Sequence, residues 1–458
     1  MNKQTTGDAP ISNKDEESTR ANVLVFGAGK SATCLIDYII KEAGTNGWQV
    51  TVADNDLALA KSKIKNQQHA EAVAINVENT ADRNQLIKNA GIVISLLPPA
   101  LHFLVAQDCV LFEKNLLTAS YVDDNIRSLQ PAIEEKKLLF LCEMGLDPGI
   151  DHMSAMELIH RIKEEGGIIT SFISHCGGLV APESDDNPWH YKISWNPRNV
   201  VMAGKAGAVY RQNNKTTKLP YEKLFDENRF TGIPGLGSLA WYPNRDSLDY
   251  ITLYQLEGIE TFIRTTLRYP QFSYGWKNII DLKLTDETIF YETNEMTLKA
   301  FFKTHFEQLG FAGTIAKREQ QPDLFIQQLH WLGMHDDTTF INKGRCSAMD
   351  ILQFALEKKL VLNLHDKDMI LMLHEIAYTL KGKNYQVKTN LIVKGDDSLR
   401  TAMAKTVGLP LGIAAKLILQ GKIKVTGLHI PVIPVIYEPV LAELQQHNIY
   451  FTENTITL

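Results

Sequence analysis

Asn22-Val-Leu-Val-Phe-Gly27-Ala-Gly29-Lys-Ser-Ala32 is the stretch on which the reading of the fold turns. Residues 22–26 are a short β-branched and aromatic run behind Asn22, the composition of a strand. A glycine turn follows, then an amphipathic helix from Cys34 to Ala43, then a second strand, Trp48-Gln-Val-Thr-Val-Ala53. Strand, turn, helix and strand in that order make a βαβ unit. The turn reads G-x-G-x-x-A, a variant of the dinucleotide fingerprint. Gly27 permits the tight turn, Gly29 lets the backbone approach a pyrophosphate, and Ala32 keeps the helix close to the strand. The helix N-terminus then presents free N–H groups to phosphate. Asp54 ends the second strand, where a carboxylate bonds both ribose hydroxyls and repels a 2′-phosphate. Its competing role is to cap a helix over 55–67. The expected cofactor is NAD; NADP stays open because Lys61 and Lys63 are near enough to meet a phosphate.

Outward from this unit the alternation continues. Strands are predicted at 71–75, 92–96, 116–119 and 138–142, and helices at 55–67 and 80–89. Continuous apolar strands separated by helices indicate a parallel sheet covered on both faces. Ligands in such sheets lie beyond the carboxyl ends of the strands. That rule adds Ser95-Leu-Leu-Pro98, Ser120-Tyr121 and Glu143–Pro148 to the glycine turn. The expected cofactor-binding set is Gly27, Gly29, Lys30, Ser31, Asp54, Asn76, Val77, Ser95, Leu97, Ser120, Leu146, Asp147 and Pro148. After residue 150 the rhythm stops. Strands are predicted over 168–176 and 251–268, and helices over 296–310, 321–332 and 347–358. Residues 398–420 read as a helix interrupted at Gly-Leu-Pro.

With 458 residues the chain has room for two to four domains at roughly 100–200 residues each. It is 44% hydrophobic, 22% charged and 9% aromatic, which places it among globular proteins. A net charge of −6 argues against a nucleic-acid partner. The odd count of 5 cysteines, scattered along the chain, argues for a reducing compartment over a disulfide framework. Residues 1–20 are polar and read as a mobile tail without a signal sequence. The uncharged stretch Ala90–Gln107 contains Pro98-Pro99, so a strand, a turn and a helix fit it better than a membrane span. The chain is read as soluble and cytoplasmic, with no membrane partner. It contains no H-E-x-x-H and no CxxC pair, and no metal site is expected. His365, Asp366, Asp368 and His374-Glu375 are assigned to a capped amphipathic helix.

Cys142-Glu-Met-Gly-Leu-Asp-Pro-Gly-Ile-Asp-His152 closely resembles the NE-x-GLDPGIDH segment of saccharopine dehydrogenases. Ala119-Ser-Tyr121, His175-Cys-Gly-Gly178, Ala181-Pro-Glu183, Asn187-Pro, Tyr191-Lys-Ile-Ser-Trp195, Tyr242-Pro-Asn-Arg-Asp-Ser247 and Arg264-Thr-Thr-Leu-Arg-Tyr269 extend the resemblance in order. It implies an α/β fold: a Rossmann dinucleotide-binding domain plus an α+β substrate and dimerisation domain with a small helical insertion. Expected boundaries are 21–150 completed by 395–458 for the first, 151–285 with 355–394 for the second, and 286–354 for the insertion. The resemblance also implies an NAD(P)-dependent, glutamate-forming enzyme. Such an enzyme oxidises saccharopine at a C–N bond and hydrolyses the imine to L-glutamate and 2-aminoadipate 6-semialdehyde. A homodimer is expected, as in relatives. The alternatives are a dehydrogenase of another amino-acid-derived secondary amine, of the carboxyspermidine type, and a catalytically silent NAD-binding protein.

A substrate with three carboxylates calls for guanidinium forks and hydroxyls. The resemblance places Arg245, Arg264 and Thr266 against substrate, with Arg198, Ser120, Tyr121 and Asp147 as further contacts. Amine oxidation and imine hydrolysis both need a proton-transfer group. Asp147, Tyr121 and Cys176 occupy family positions for that work, in that order of preference. Each also has a plain structural reading: a turn aspartate, a stacking ring and an inert buried thiol. The family commonly carries Ser-Pro where this chain has Val122-Asp123-Asp124, and its NADP-using members carry an arginine where it has Asp54-Asn55.

Overall fold

Val23, Leu24, Val25 and Phe26 are fully buried, which a strand achieves only when both faces of its sheet are covered. The computed structural model describes residues 21–65, 67–227 and 229–458; the polar tail at 1–20 lies outside the described residues. The central strand is β1 (Asn22–Phe26). Its parallel sheet also holds β2 (Gln49–Asp54), β3 (Ala70–Ala74), β4 (Ile92–Ser95), β5 (Asn115–Thr118) and β6 (Leu139–Leu141). The spatial order β6-β5-β4-β1-β2-β3 is doubly wound, with its switch point between β1 and β4. Helices α1 (Thr33–Asn46), α2 (Leu57–Ile64), α3 (Thr80–Lys88) and α4 (Pro99–Leu111) lie in the crossovers. α1 turns Leu35, Ile36 and Ile39 fully inward, each stabilising the domain by about 1.5–3 kcal/mol. It ends at Gly47, whose φ of 73° lets its N–H reach the Ala43 carbonyl.

The C-terminal segment serves both domains. Gly427–His429 adds a parallel strand beside β6. Helix Ala402–Leu419 packs on α1 through Gly408 and Gly412. A β-carbon at Gly408 would stand 2.8 Å from the Leu35 nitrogen, and one at Gly412 2.7 Å from the Tyr38 ring. The predicted interruption at Gly-Leu-Pro does not occur: the helix runs through Pro410, and the glycines mark a close helix contact instead. By length and composition this helix qualifies as a membrane span, but it is mostly buried inside the protein. The last strand, Thr452–Thr457, pairs in the second sheet and not in the first.

Helix α5 (Ile150–Glu164) leads to a mixed ten-stranded sheet. Its centre is β7 (Ile168–Val180), parallel to β8 (Thr261–Arg268) and antiparallel to β9 (Asp368–Leu380). β9 forms a hairpin with β10 (Lys383–Lys394). β9 corrects the helix assigned to this region. Met369 to Leu373 are buried without a polar face, which is the pattern of a central strand, and such short apolar runs do not distinguish helix from strand. Asp368 has a different duty, accepting the N–H groups of Ala402 (2.5 Å) and Met403 (3.0 Å) at the start of the C-terminal helix. The predicted strand at 251–268 is also divided. Asp249–Leu253 is helical and only Thr261–Arg268 is extended. Helices Leu298–Gln308, Ala312–Glu319, Leu324–Trp331 and Ala348–Lys359 form a helical subdomain around Phe301, Phe302, Phe325 and Leu329.

Candidate active site

The turn after β1 and the loop after β4 touch at the switch point. Gly27 has φ +98°, and a β-carbon there would stand 2.9 Å from the Leu96 carbonyl oxygen, so only glycine fits. Gly29 has ordinary extended geometry; its value is space. A β-carbon there would meet no atom within 4 Å, leaving open room before the N-terminus of α1. Lys30 is exposed and Ser31 half-buried at the start of that helix. This arrangement fits a pyrophosphate. The Asp54 carboxylate braces the turn, accepting the Ala28 N–H at 2.7 Å and the Asp56 N–H at 2.9 Å. Asp56, not Asp54, caps α2. Each Asp54 oxygen keeps a lone pair for a ribose hydroxyl. Lys63 is engaged with the Thr33 hydroxyl at 2.6 Å. Asn76 accepts the Glu78 N–H at 3.0 Å, and Val77 is buried. Leu97 is half-buried in the loop after β4.

Beyond β4 and β5 sits a residue that sequence reasoning passed over. His102, in the first turn of α4, bridges the Ser95 hydroxyl (Nδ1, 2.8 Å) and the Ser120 hydroxyl (Nε2, 2.7 Å). Burial pushes its pKa down to about 4, so the ring is neutral and fixes both hydroxyls. The available signal was a histidine in the first turn of the helix that follows a strand-end serine.

Tyr121, Asp147, Arg245 and Arg264 come together from β5, β6 and the second domain. The Tyr121 hydroxyl faces Asp147 Oδ1 at 3.4 Å. Arg264 donates to that oxygen at 2.6 Å and to Asp151 Oδ2 at 2.8 Å, and lies 4.3 Å from the Tyr250 ring centre. Asp151 also accepts the Gly149 N–H at 2.6 Å. Burial raises both carboxyls. It prevails at Asp147, whose pKa stands above the ordinary carboxylate value despite Arg264. At Asp151 the positive field of His152 and Arg264 and the Gly149 N–H overcome it, and the pKa falls. Among the described residues Oδ2 of Asp147 receives no hydrogen bond, so one oxygen remains for a ligand. Behind this pair, His152 links Glu143 (2.9 Å) to the Tyr254 hydroxyl (2.6 Å). The sequence contained Asp151 and His152 in GIDH but not this wiring.

Arg245 is exposed, with φ 53°, and its guanidinium lies 5.0 Å from the Tyr121 ring centre. Its fork is uncommitted within the cluster, whereas Arg264 is held by two aspartates. Thr266, half-buried, shares the Arg264 face of β8 by strand alternation. Arg198 is not brought into the cluster; it pairs with Asp350 (2.8 Å) and Glu287 (3.4 Å) at the helical subdomain. Cys176 is buried, and burial together with the Asp147 charge raises its thiol well above the ordinary value. It is a protonated thiol, suited to packing. His175 faces away, toward Thr265 (2.6 Å) and Glu375 (3.5 Å). Asp123 caps the helix Asp124–Ser128, accepting the Ile126 N–H at 2.8 Å.

Residues 23–141 match the saccharopine dehydrogenase NADP binding domain and residues 145–449 the saccharopine dehydrogenase C-terminal domain. The chain is 32% identical to the NADP(+), L-glutamate-forming saccharopine dehydrogenase of Saccharomyces cerevisiae, over 95% of this chain and 99% of that protein. It is 32% identical to the mitochondrial alpha-aminoadipic semialdehyde synthase of Bos taurus, over 96% of this chain and 48% of that protein, and so spans about half the length of that relative. Among solved structures, the apo L-Glu-forming saccharopine dehydrogenase of S. cerevisiae superposes with a TM-score of 0.85 at 30% identity, covering 95% of this chain and 100% of that one. The homospermidine synthase of Legionella pneumophila shares the fold at 10% identity, TM-score 0.56, over 95% of this chain and 91% of that one. The matching domain is an NADP binding domain and the yeast enzyme is NADP(+)-dependent, so the NAD preference read from Asp54 finds no support in these relatives.

Proposed function

The chain belongs to the saccharopine dehydrogenase family, and we propose that it is a glutamate-forming member, oxidising saccharopine with a nicotinamide dinucleotide and water. The observation that carries this reading is the cluster of Tyr121, Asp147 and Arg264 with the uncommitted Arg245 above it. Gly27, Gly29 and the start of α1 would hold the pyrophosphate, and Asp54 the adenosine ribose. The bound nicotinamide supplies the hydride acceptor. Arg245 offers two parallel N–H donors to a substrate carboxylate, with Tyr121 supporting its plane. Asp147 is the proton-transfer group. Its raised pKa suits it to take the amine proton at Oδ2, hold it during water attack, and return it to the departing glutamate amine. Arg264 and Tyr121 orient the carboxyl through Oδ1.

The finer choice of cofactor in this proposal is NAD. Its support is the Asp54 carboxylate at the end of β2, whose charge opposes a 2′-phosphate, followed by Asn55 and Asp56 without an arginine. A cytoplasmic homodimer completes the proposal and is checked by sedimentation. The reaction is tested by mixing the protein with saccharopine and either nucleotide and following the near-ultraviolet absorbance of the reduced form. Growth of that band with coupled release of glutamate is expected. No reduction with either nucleotide overturns the reading, and a clear NADP preference overturns the Asp54 argument alone.

A further inference from the structure

Glu319, His330 and His335 lie in the helical subdomain. Glu319 ends helix Ala312–Glu319, and His330 lies in the last turn of Leu324–Trp331. His335 follows in the turn made by Gly333, whose φ is +99°. Three donor atoms converge. His335 Nε2 is 3.0 Å from His330 Nε2 and 3.2 Å from Glu319 Oε1. His330 Nε2 is 3.7 Å from that same oxygen. Ligands at about 2.0–2.1 Å from a tetrahedral ion stand about 3.3 Å apart, a value these edges bracket. The rings are inclined at 57°, not stacked. Two Nε2 atoms 3.0 Å apart do not both carry a proton, so at least one lone pair faces the shared space. Two imidazoles and a carboxylate select a borderline transition metal over Mg2+ or Ca2+, which prefer oxygen-only sets.

We propose that Glu319, His330 and His335 bind a divalent ion of the zinc class, with water completing its coordination. Side-chain exposure of 35–58% leaves the open position facing solvent. The ion would clip the end of one helix to the turn after the next, acting as a staple of the subdomain. His330 and His335 have the H-x4-H spacing of a ligand pair, but only the fold brings Glu319 to them. Without metal, the same contacts amount to a histidine–histidine hydrogen bond beside a carboxylate, and the experiment separates the two.

The test titrates Zn2+ into the full-length, untagged, metal-stripped protein by calorimetry. One ion per chain with a roughly micromolar Kd is expected. His330→Ala and His335→Ala, checked as folded by circular dichroism, should each weaken binding by at least roughly 10-fold. His365→Ala, an exposed histidine outside the triad, should leave it unchanged. Zinc should raise the Tm of the native protein and not that of the double histidine variant. Absence of any site tighter than about 100 µM overturns the proposal. Unaltered zinc binding in the double variant overturns it equally.

Discussion

At the residue scale the proposed chemistry rests on how burial and charge divide two aspartates. Asp147 and Asp151 share one guanidinium, yet only Asp147 is raised, because Asp151 also has the Gly149 N–H and lies beside His152. A base must be ionised to accept a proton. Oxidation should therefore rise with pH through a limb lying above the ordinary aspartate value of about 3.9. Asp147→Asn should abolish that limb and lower kcat by about 10²–10⁴-fold. Retention of the limb in the variant would move the role elsewhere. Arg245→Lys keeps the charge and loses the fork, so KM for saccharopine should rise by about 10-fold with kcat little changed. Steady-state kinetics at saturating nucleotide measure both. An unchanged KM removes Arg245 from carboxylate binding.

At the scale of elements, the two glycines of the turn make separable predictions. Gly27 is needed for a positive φ and for the Leu96 contact, so Gly27→Ala should destabilise the first domain by about 1–3 kcal/mol in urea unfolding. Gly29→Ala has room and an ordinary backbone, so stability should hold while nucleotide Kd rises by at least about 10-fold, read by fluorescence titration. Equal stability loss in both variants would refute the assignment of space to Gly29. Much of this turn was legible beforehand, because glycine spacing encodes backbone geometry. β9 was not: Asp368–Leu380 has the length and apolar content of either element, and only pairing with β7 and β10 makes it a strand.

At the scale of the molecule, the C-terminal helix joins both domains, and Gly408 sets its distance from α1. Alanine is the better helix former, yet Gly408→Ala should lower stability by about 1–3 kcal/mol, because its β-carbon meets the backbone at Leu35. A raised Tm would show that the contact relaxes. The buried histidines add a pH term. His102 and His374 are held neutral by burial, each with a pKa pushed down to about 4 from an ordinary 6.5. The unfolded chain binds their protons first. Their contribution is therefore present above about pH 6.5 and is lost as pH falls toward 4, by up to about 3 kcal/mol for each. Urea midpoints for the native protein and His102→Asn across that window should converge as pH falls. Parallel curves would contradict the assignment.

The sequence by itself determined the parallel nucleotide domain, the fingerprint turn and the family, and it singled out Tyr121, Asp147, Arg245 and Arg264 for the proposed site, because each is carried by local spacing or a contiguous motif. Tertiary structure alone decided that Arg264 is committed to two aspartates, that Arg198 serves the helical subdomain, and that Cys176 is a buried thiol. It also placed His102 between two serines and divided the final segment between two sheets. Those facts concern partners far apart in the chain. Their energies depend on burial and on charges that meet only after folding, and neither is written in local pattern.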